Sequence, residues 1–494
     1  MFYYSTRDLN KSQKYTSAQV IKKGLADDGG LFIPESIPTL TKNEVLELCK
    51  DIYPVRAAKI LSKFLTDYTY EELLADCSEA YSTDSFVGGA APLVNIHDNV
   101  YTLELWHGPT AAFKDMALQI MPKLLSRALV KTGEERTALI LVATSGDTGK
   151  AALEGYKDIK GIKIMVYYPI DGVSKVQKLQ MATQTGSNVN VCAINGNFDD
   201  AQNGVKAIFS DKEMAEKLNK KGYFLSSANS INWGRLAPQI VYYISAYCDL
   251  INDGKIAYGE EINVCVPTGN FGNIFGAYIA KKMGLPIKKL VCASNSNNVL
   301  TDFFNKGEYD KRRKFYTTIS PSMDILISSN LERLLCLAAG SEKTVEYMTK
   351  LKNEGFYTVG KDVLAAIDSE FKGYFANEAD TASTIKNCFE STGNLIDTHT
   401  AVGLYAADKY ISESGDKTTM VVASTASPFK FAADVYVSLK GEKPEDDLDA
   451  LSMLSSSTNA QIPYPLKGIA SRKIRFEEVI DVAEMSNKVL EFAK

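Results

Sequence analysis

Three apolar runs frame this chain: residues 137–143 (TALILVA), 262–266 (INVCV) and 419–423 (TMVVA). A strand without polar alternation has both faces covered, and such strands belong to parallel sheets flanked by crossover helices. Each run ends in a loop of small residues. Residues 163–168 and 188–194 add strands to the first set, with a helix over 174–185 between them. Residues 289–293 add a strand to the second set, after a helix near 273–283. The alternation predicts an α/β fold with two open, mostly parallel sheets.

The flanks read differently. The first 95 residues or so are mostly helical in pattern, and Thr41–Glu44 and Thr69–Glu72 each fit a capping box. Gly88-Gly89-Ala90-Ala91-Pro92 marks a boundary. Segment 300–395 is polar and rich in helix formers, which predicts a helical insertion. Beyond Gly441 the chain is charged, then Ser-rich, then helical in pattern. With 494 residues, two to four packed units are expected. The expected units are a helical N-terminal domain (1–95), a smaller α/β domain (96–235), a larger α/β domain holding the insertion (236–440), and a C-terminal segment (441–494).

Hydrophobic residues make up 45% and charged residues 23%, which excludes a disordered or collagen-like chain. The longest apolar run is far shorter than the ~18 residues of a membrane span. A net charge of −5, with no strongly basic domain, argues against nucleic acid as a partner. The eight cysteines lack CxxC spacing, and the three histidines (His97, His107, His399) lack HExxH spacing. Neither a disulfide scaffold nor a metal site is expected. The N-terminus carries no apolar or Arg-rich leader, so a reduced, cytoplasmic protein is expected.

Four loops carry possible chemistry. Gly269-Asn270-Phe271-Gly272-Asn273 lies between a strand and a helix, where glycines permit close approach and free N–H groups favour a phosphate. Its spacing is not that of a dinucleotide fingerprint, and an ordinary β–α turn is the competing reading. Ser145-Gly146-Asp147-Thr148-Gly149-Lys150 follows another strand; Ala151 after Lys150 excludes a Walker A loop, leaving an anion site or a plain capped helix start. In His107-Gly108-Pro109-Thr110-Ala111-Ala112-Phe113-Lys114-Asp115, an amine flanked by Phe113 and Met116 would be nucleophilic if buried. A surface lysine is the blander alternative. Ser424-Thr425-Ala426-Ser427-Pro428-Phe429-Lys430 places hydroxyls at a strand's C-terminal end, where open α/β sheets bind ligands, or simply caps a helix. Together a phosphate cradle and a Schiff-base lysine suit a phosphorylated cofactor or substrate, pyridoxal phosphate (PLP) among them.

These motifs, with Gly24–Pro34, Ser227–Arg235, Ser322–Arg333 and Asp397–Gly403, resemble the threonine synthase family in its longer microbial and fungal type, nearly end to end. The lysine segment, the Trp233-Gly234-Arg235 motif and Ser329-Asn330-Leu331-Glu332-Arg333 are specific to that group. The resemblance implies a fold-type II PLP enzyme, similar to the tryptophan synthase β chain, that converts O-phospho-L-homoserine and water to L-threonine and phosphate. It implies Lys114 as cofactor anchor and catalytic base, and Gly269, Asn270, Phe271, Gly272 and Asn273 as the phosphate cradle. Thr425 would face the pyridine nitrogen. Ser145, Asp147 and Thr148 would lie near cofactor and substrate, and Asn229 and Arg235 at the substrate phosphate. No obligate protein partner is evident.

The chain departs from the family pattern in two motifs. Ser427 stands for a His and Phe429 for an Ala in the last loop, and Thr398 stands for a Pro before His399. A related PLP phospholyase and a cofactor-binding pseudoenzyme are the alternative readings.

Overall fold

The computed structural model describes residues 1–171 and 173–494. Its strands are, in chain order, β1 (Tyr3–Ser5), β2 (Phe32–Pro34), β3 (Leu93–His97), β4 (Val100–Glu104), β5 (Thr137–Ala143), β6 (Ile162–Pro169), β7 (Val189–Ile194) and β8 (Tyr223–Ser226). They continue as β9 (Ile262–Pro267), β10 (Ile287–Ser294), β11 (Glu308–Asp310), β12 (Phe356–Thr358), β13 (Phe371–Phe375), β14 (Thr419–Ser424) and β15 (Val479–Ile480). The three apolar runs are β5, β9 and β14. Each is buried along nearly its whole length, as strands covered on both faces must be.

Two open sheets result. The five-stranded sheet has the order β15-β7-β6-β5-β8 and is parallel throughout. The six-stranded sheet has the order β13-β10-β9-β14-β4-β3 and is parallel except for the β3–β4 hairpin at its edge. The helix Trp233–Asn252 is buried along most of its length and packs against the helix Gly272–Lys282 and the N-terminal helices. No helix among the described residues is long and apolar enough to cross a membrane.

Local signals explain several helix starts. Thr41 and Thr69 cap the helices Lys42–Lys50 and Tyr70–Ala80, each in a reciprocal pair with Glu44 or Glu72. Ser174 and Gln177 do the same for Lys175–Ala182.

Long-range pairing departs from the expected units. Residues 96–104 fall in the segment expected to form the smaller α/β domain, yet β4 pairs in parallel with β14 in the larger sheet. Val100, Tyr101, Thr102 and Leu103 are buried there, and that burial outweighs nearness in sequence. The segment 300–395 is not purely helical: β11 pairs with β12, and β13 extends the larger sheet beside β10. Gly373 permits this, because a Cβ there would stand 2.9 Å from the Thr301 Cα. The N-terminal region holds the antiparallel pair β1–β2 among its helices. The C-terminal segment returns to the smaller sheet, where β15 lies beside β7. All eight cysteines are free thiols, and all but Cys49 are buried.

Candidate active site

The strands β9, β14 and β4 are neighbours and run parallel, so their C-terminal ends open at one edge of the larger sheet. Open α/β sheets bind ligands at such an edge. The loop 268–273 follows β9, the loop 425–430 follows β14, and the lysine segment follows β4. The loop 144–149 follows β5 of the other sheet and meets them across a gap.

The lysine segment is strapped to the loop after β14. The Phe113 N–H donates to the Thr425 carbonyl at 2.8 Å, and the Ser427 N–H donates to the Ala111 carbonyl at 3.1 Å. Thr425 is buried in this strap. Lys114 follows directly, at the start of the short helix Asp115–Leu118. Its side chain is 12% exposed, and its Nζ lies 3.7 Å from Asp147 Oδ2 and 5.0 Å from the Phe113 ring centre. Burial lowers the proton affinity of this amine; the Asp147 charge opposes that effect, while Arg235 and Lys430 reinforce it. Asp115 turns away, accepting from the Thr110 N–H and hydroxyl at 2.8 and 2.7 Å.

Asp147 begins the helix Asp147–Tyr156 and is buried. Its Oδ1 accepts from Gln177 Nε2 at 2.8 Å and lies 3.0 Å from Lys430 Nζ. Its Oδ2 accepts from Ser322 Oγ at 3.1 Å. Burial works against this charge, yet Lys430 and then Lys114 overcome it and hold the carboxyl well below the usual range. The turn before it is fixed by Thr144, whose hydroxyl accepts from the Gly146 and Gly149 N–H groups at 3.0 and 2.9 Å. Ser145 is exposed in this turn, and Thr148 is half-buried.

In the loop after β9, Phe271 adopts a left-handed backbone (φ 63°) and opens the helix Gly272–Lys282 with no side-chain cap. The first N–H groups of that helix are therefore free for an anion. Gly269 approaches a neighbouring segment closely: a Cβ there would lie 2.7 Å from the Ser322 carbonyl oxygen. The Gly269 carbonyl accepts from Ser328 Oγ at 2.6 Å, and the Asn270 carbonyl accepts from Asn330 Nδ2 at 2.8 Å. Asn273 Oδ1 accepts from the Tyr242 and Tyr243 hydroxyls at 2.6 and 2.5 Å, while its buried Nδ2 has no partner among the described residues. Ser322 thus touches both the Gly269 turn and Asp147. His399 holds it: the Ser322 N–H donates to His399 Nε2 at 3.1 Å, and His399 Nδ1 donates to Asp397 at 2.7 Å.

Arg235 sits in the first turn of Trp233–Asn252, fully buried, with Nη1 donating to the Ala228 carbonyl at 2.9 Å. Its Nε has no partner among the described residues, and burial lowers its pKa to about 10. Asn229 is exposed nearby, its N–H donating to Ser227 Oγ.

The structure thus links Lys114, Asp147, Gly269, Arg235 and Thr425 through contacts or close charge coupling. Asn270, Phe271, Gly272 and Asn273 shape the same loop. Lys430, Ser322, Gln177 and His399 join the site although the sequence alone does not mark them as site residues. Lys430 closes a loop already of interest, which is the one signal that points to it. The departures are accommodated: Ser427 Oγ accepts from the Phe429 N–H in its own turn, and Thr398 takes the first position of the helix Thr398–Ser414, where Pro is also tolerated.

Residues 87–425 match the family described as pyridoxal-phosphate dependent enzyme. Residues 2–81 match the threonine synthase N terminus, and 400–489 the threonine synthase C-terminal family. Human "threonine synthase-like 1" is 38% identical over 465 residues, covering 92% of this chain; the chain spans 62% of that relative's length. Threonine synthase of Saccharomyces cerevisiae is 34% identical over 519 residues, covering 99% of this chain and 97% of the relative. The crystal structure of PLP-bound threonine synthase from Brucella melitensis is similar with a TM-score of 0.89 at 36% identity, covering 100% of both chains. With these likenesses running through all three segments, the chain belongs to the threonine synthase family of pyridoxal-phosphate dependent enzymes.

Proposed function

We propose that this chain converts O-phospho-L-homoserine and water to L-threonine and phosphate, with pyridoxal 5′-phosphate attached at Lys114. The observation that carries the reading is the cluster of Lys114, Asp147 and Lys430, set beside an uncapped helix start. The residues present fit the cofactor. An aldehyde needs an amine of lowered proton affinity, and burial provides one at Lys114. A phosphate needs N–H donors, which the helix start at Gly272 and the unpartnered Asn273 Nδ2 offer.

When bound, the cofactor supplies an electron sink for negative charge formed at the substrate's carbons. The chain's own residues do the rest. The freed Lys114 amine is the base for the Cα proton. Asp147 orients that amine and retains its charge while the proton moves. Arg235, with a buried Nε free to donate, binds the substrate phosphate, and Asn229 adds a further donor. Ser145 and Thr148 offer hydroxyls to substrate from the turn before and beside Asp147. Thr425, buried in the strap beside Lys114, would offer the cofactor's ring nitrogen a neutral hydroxyl.

The test is to load the protein with cofactor, add O-phospho-L-homoserine and identify the products. Threonine with equimolar phosphate supports the proposal. Phosphate with 2-oxobutanoate replaces it with a phospholyase, and neither product with cofactor retained replaces it with a pseudoenzyme.

A further inference from the structure

We propose that Lys430 is a positioning residue that acts on Lys114 through Asp147, as the fixed counter-ion that keeps this carboxylate charged when the Lys114 amine gives up its own charge. The inference rests on cofactor attachment at Lys114.

Lys430 Nζ is completely buried, and its polar partners among the described residues are the Asp147 carboxylate at 3.0 Å and the Thr110 carbonyl at 2.9 Å. The turn Pro428–Phe431, capped by Ser427, carries it to that point. It approaches Oδ1, whereas Lys114 approaches Oδ2 from 3.7 Å. The two amines therefore address different oxygens of one carboxylate. A free Lys114 could neutralise Asp147 alone. Once its nitrogen is joined to an aldehyde, that charge is no longer permanent. A buried carboxylate with no remaining cation would take up a proton. Lys430 removes that outcome, and its own position does not depend on the cofactor.

Other groups cannot replace it. Gln177 and Ser322 reach Asp147 as neutral donors. Both ring nitrogens of His399 are committed elsewhere, one to the Ser322 N–H and the other to Asp397. Arg235 donates to the Ala228 carbonyl. Lys150 is paired with Glu154 at 2.8 Å, and Asp115 is held by Thr110.

The sign of the effect follows. Lys430 repels a proton on the Lys114 nitrogen, and Asp147 attracts one. Lys430→Gln retains a donor for the Thr110 carbonyl but removes the charge. Without its counter-ion Asp147 takes up a proton, and its attraction for a proton on Lys114, which outweighs the Lys430 repulsion, is lost. In the holoenzyme the midpoint of the pH titration of the cofactor's visible absorbance is therefore expected to fall by about 1–3 pH units in this variant. Asp147→Asn is expected to lower the midpoint, and Lys430→Arg to leave it near the starting value. If Lys430→Gln fails to fold, the lowered midpoint in Asp147→Asn and its retention in Lys430→Arg carry the test. A midpoint unmoved by Lys430→Gln or by Asp147→Asn overturns the proposal, as does a midpoint raised by Lys430→Gln, which would show direct repulsion of Lys114 rather than action through Asp147. Visible absorbance that survives Lys114→Ala overturns the attachment reading instead.

Discussion

Lys114 Nζ and Asp147 Oδ2 stand 3.7 Å apart on loops that leave two different sheets, one after β4 and the other after β5. Neither sheet alone supplies an amine and its carboxylate. Any movement of one sheet against the other therefore changes this distance directly.

The amine itself is the first target. Lys114→Ala is expected to abolish the cofactor's visible absorbance and threonine formation together, because a base of this kind contributes roughly 10²–10⁴-fold. Absorbance spectra and a product assay on the same preparation check this. Turnover near the starting level would assign the anchor to another lysine.

Arg235→Ala is expected to raise KM for O-phospho-L-homoserine far more than it weakens cofactor binding. A charge-assisted hydrogen bond contributes about 1.5–3 kcal/mol, which corresponds to roughly 10–100-fold. Steady-state kinetics alongside cofactor titration separates the two effects. An unchanged KM removes Arg235 from the phosphate site.

Gly269→Ala places a methyl group 2.7 Å from the Ser322 carbonyl oxygen. Overpacking of this kind costs about 1–3 kcal/mol. Because Ser322 also donates to Asp147, the variant is expected to weaken cofactor binding and to reduce turnover as well as stability. Thermal unfolding with and without cofactor measures it. Equal affinity for cofactor in the variant contradicts a role for this turn in the cradle.

Thr425→Asp would put a carboxylate where the proposal has a neutral hydroxyl facing the cofactor ring. Turnover is expected to fall. Kinetics indistinguishable from the parent chain would sink the assignment of Thr425.

A pH effect on stability should appear at Asp115. Burial raises its carboxyl from the ordinary 3.8 to about 6. Between those values the folded chain keeps a proton that the unfolded chain has lost, so this group's contribution to stability falls as pH rises through the window. The loss amounts to about 3 kcal/mol. Chemical denaturation of the protein and of Asp115→Asn should diverge in the variant's favour between pH 4 and pH 7. A constant difference across that range would refute it.

Much of this arrangement is legible in the sequence because it is local. The runs that became β5, β9 and β14 are apolar without interruption, and the helices with capping boxes announce their own starts. The four loops stand out for the same reason, as small or polar residues directly after buried strands. What is not legible depends on distant partners. β13 escapes notice because Lys372 and Gly373 interrupt its aromatic pattern, and only β10 beside it makes it a strand. β15 is two residues long and exists through β7. The surroundings of Asp147 are hidden likewise: Gln177, Ser322 and Lys430 come from three separate segments, and no periodicity connects them.

The strap between Phe113 and Thr425 also has a temporal meaning. During synthesis the lysine segment leaves the ribosome long before the residues that hold it, and β4 must wait for β14 before its inner edge is paired. Pairings so distant along the chain form late and slowly. A nascent chain halted short of residue 425 would thus carry its reactive amine on an unclamped segment, with no competent pocket around it.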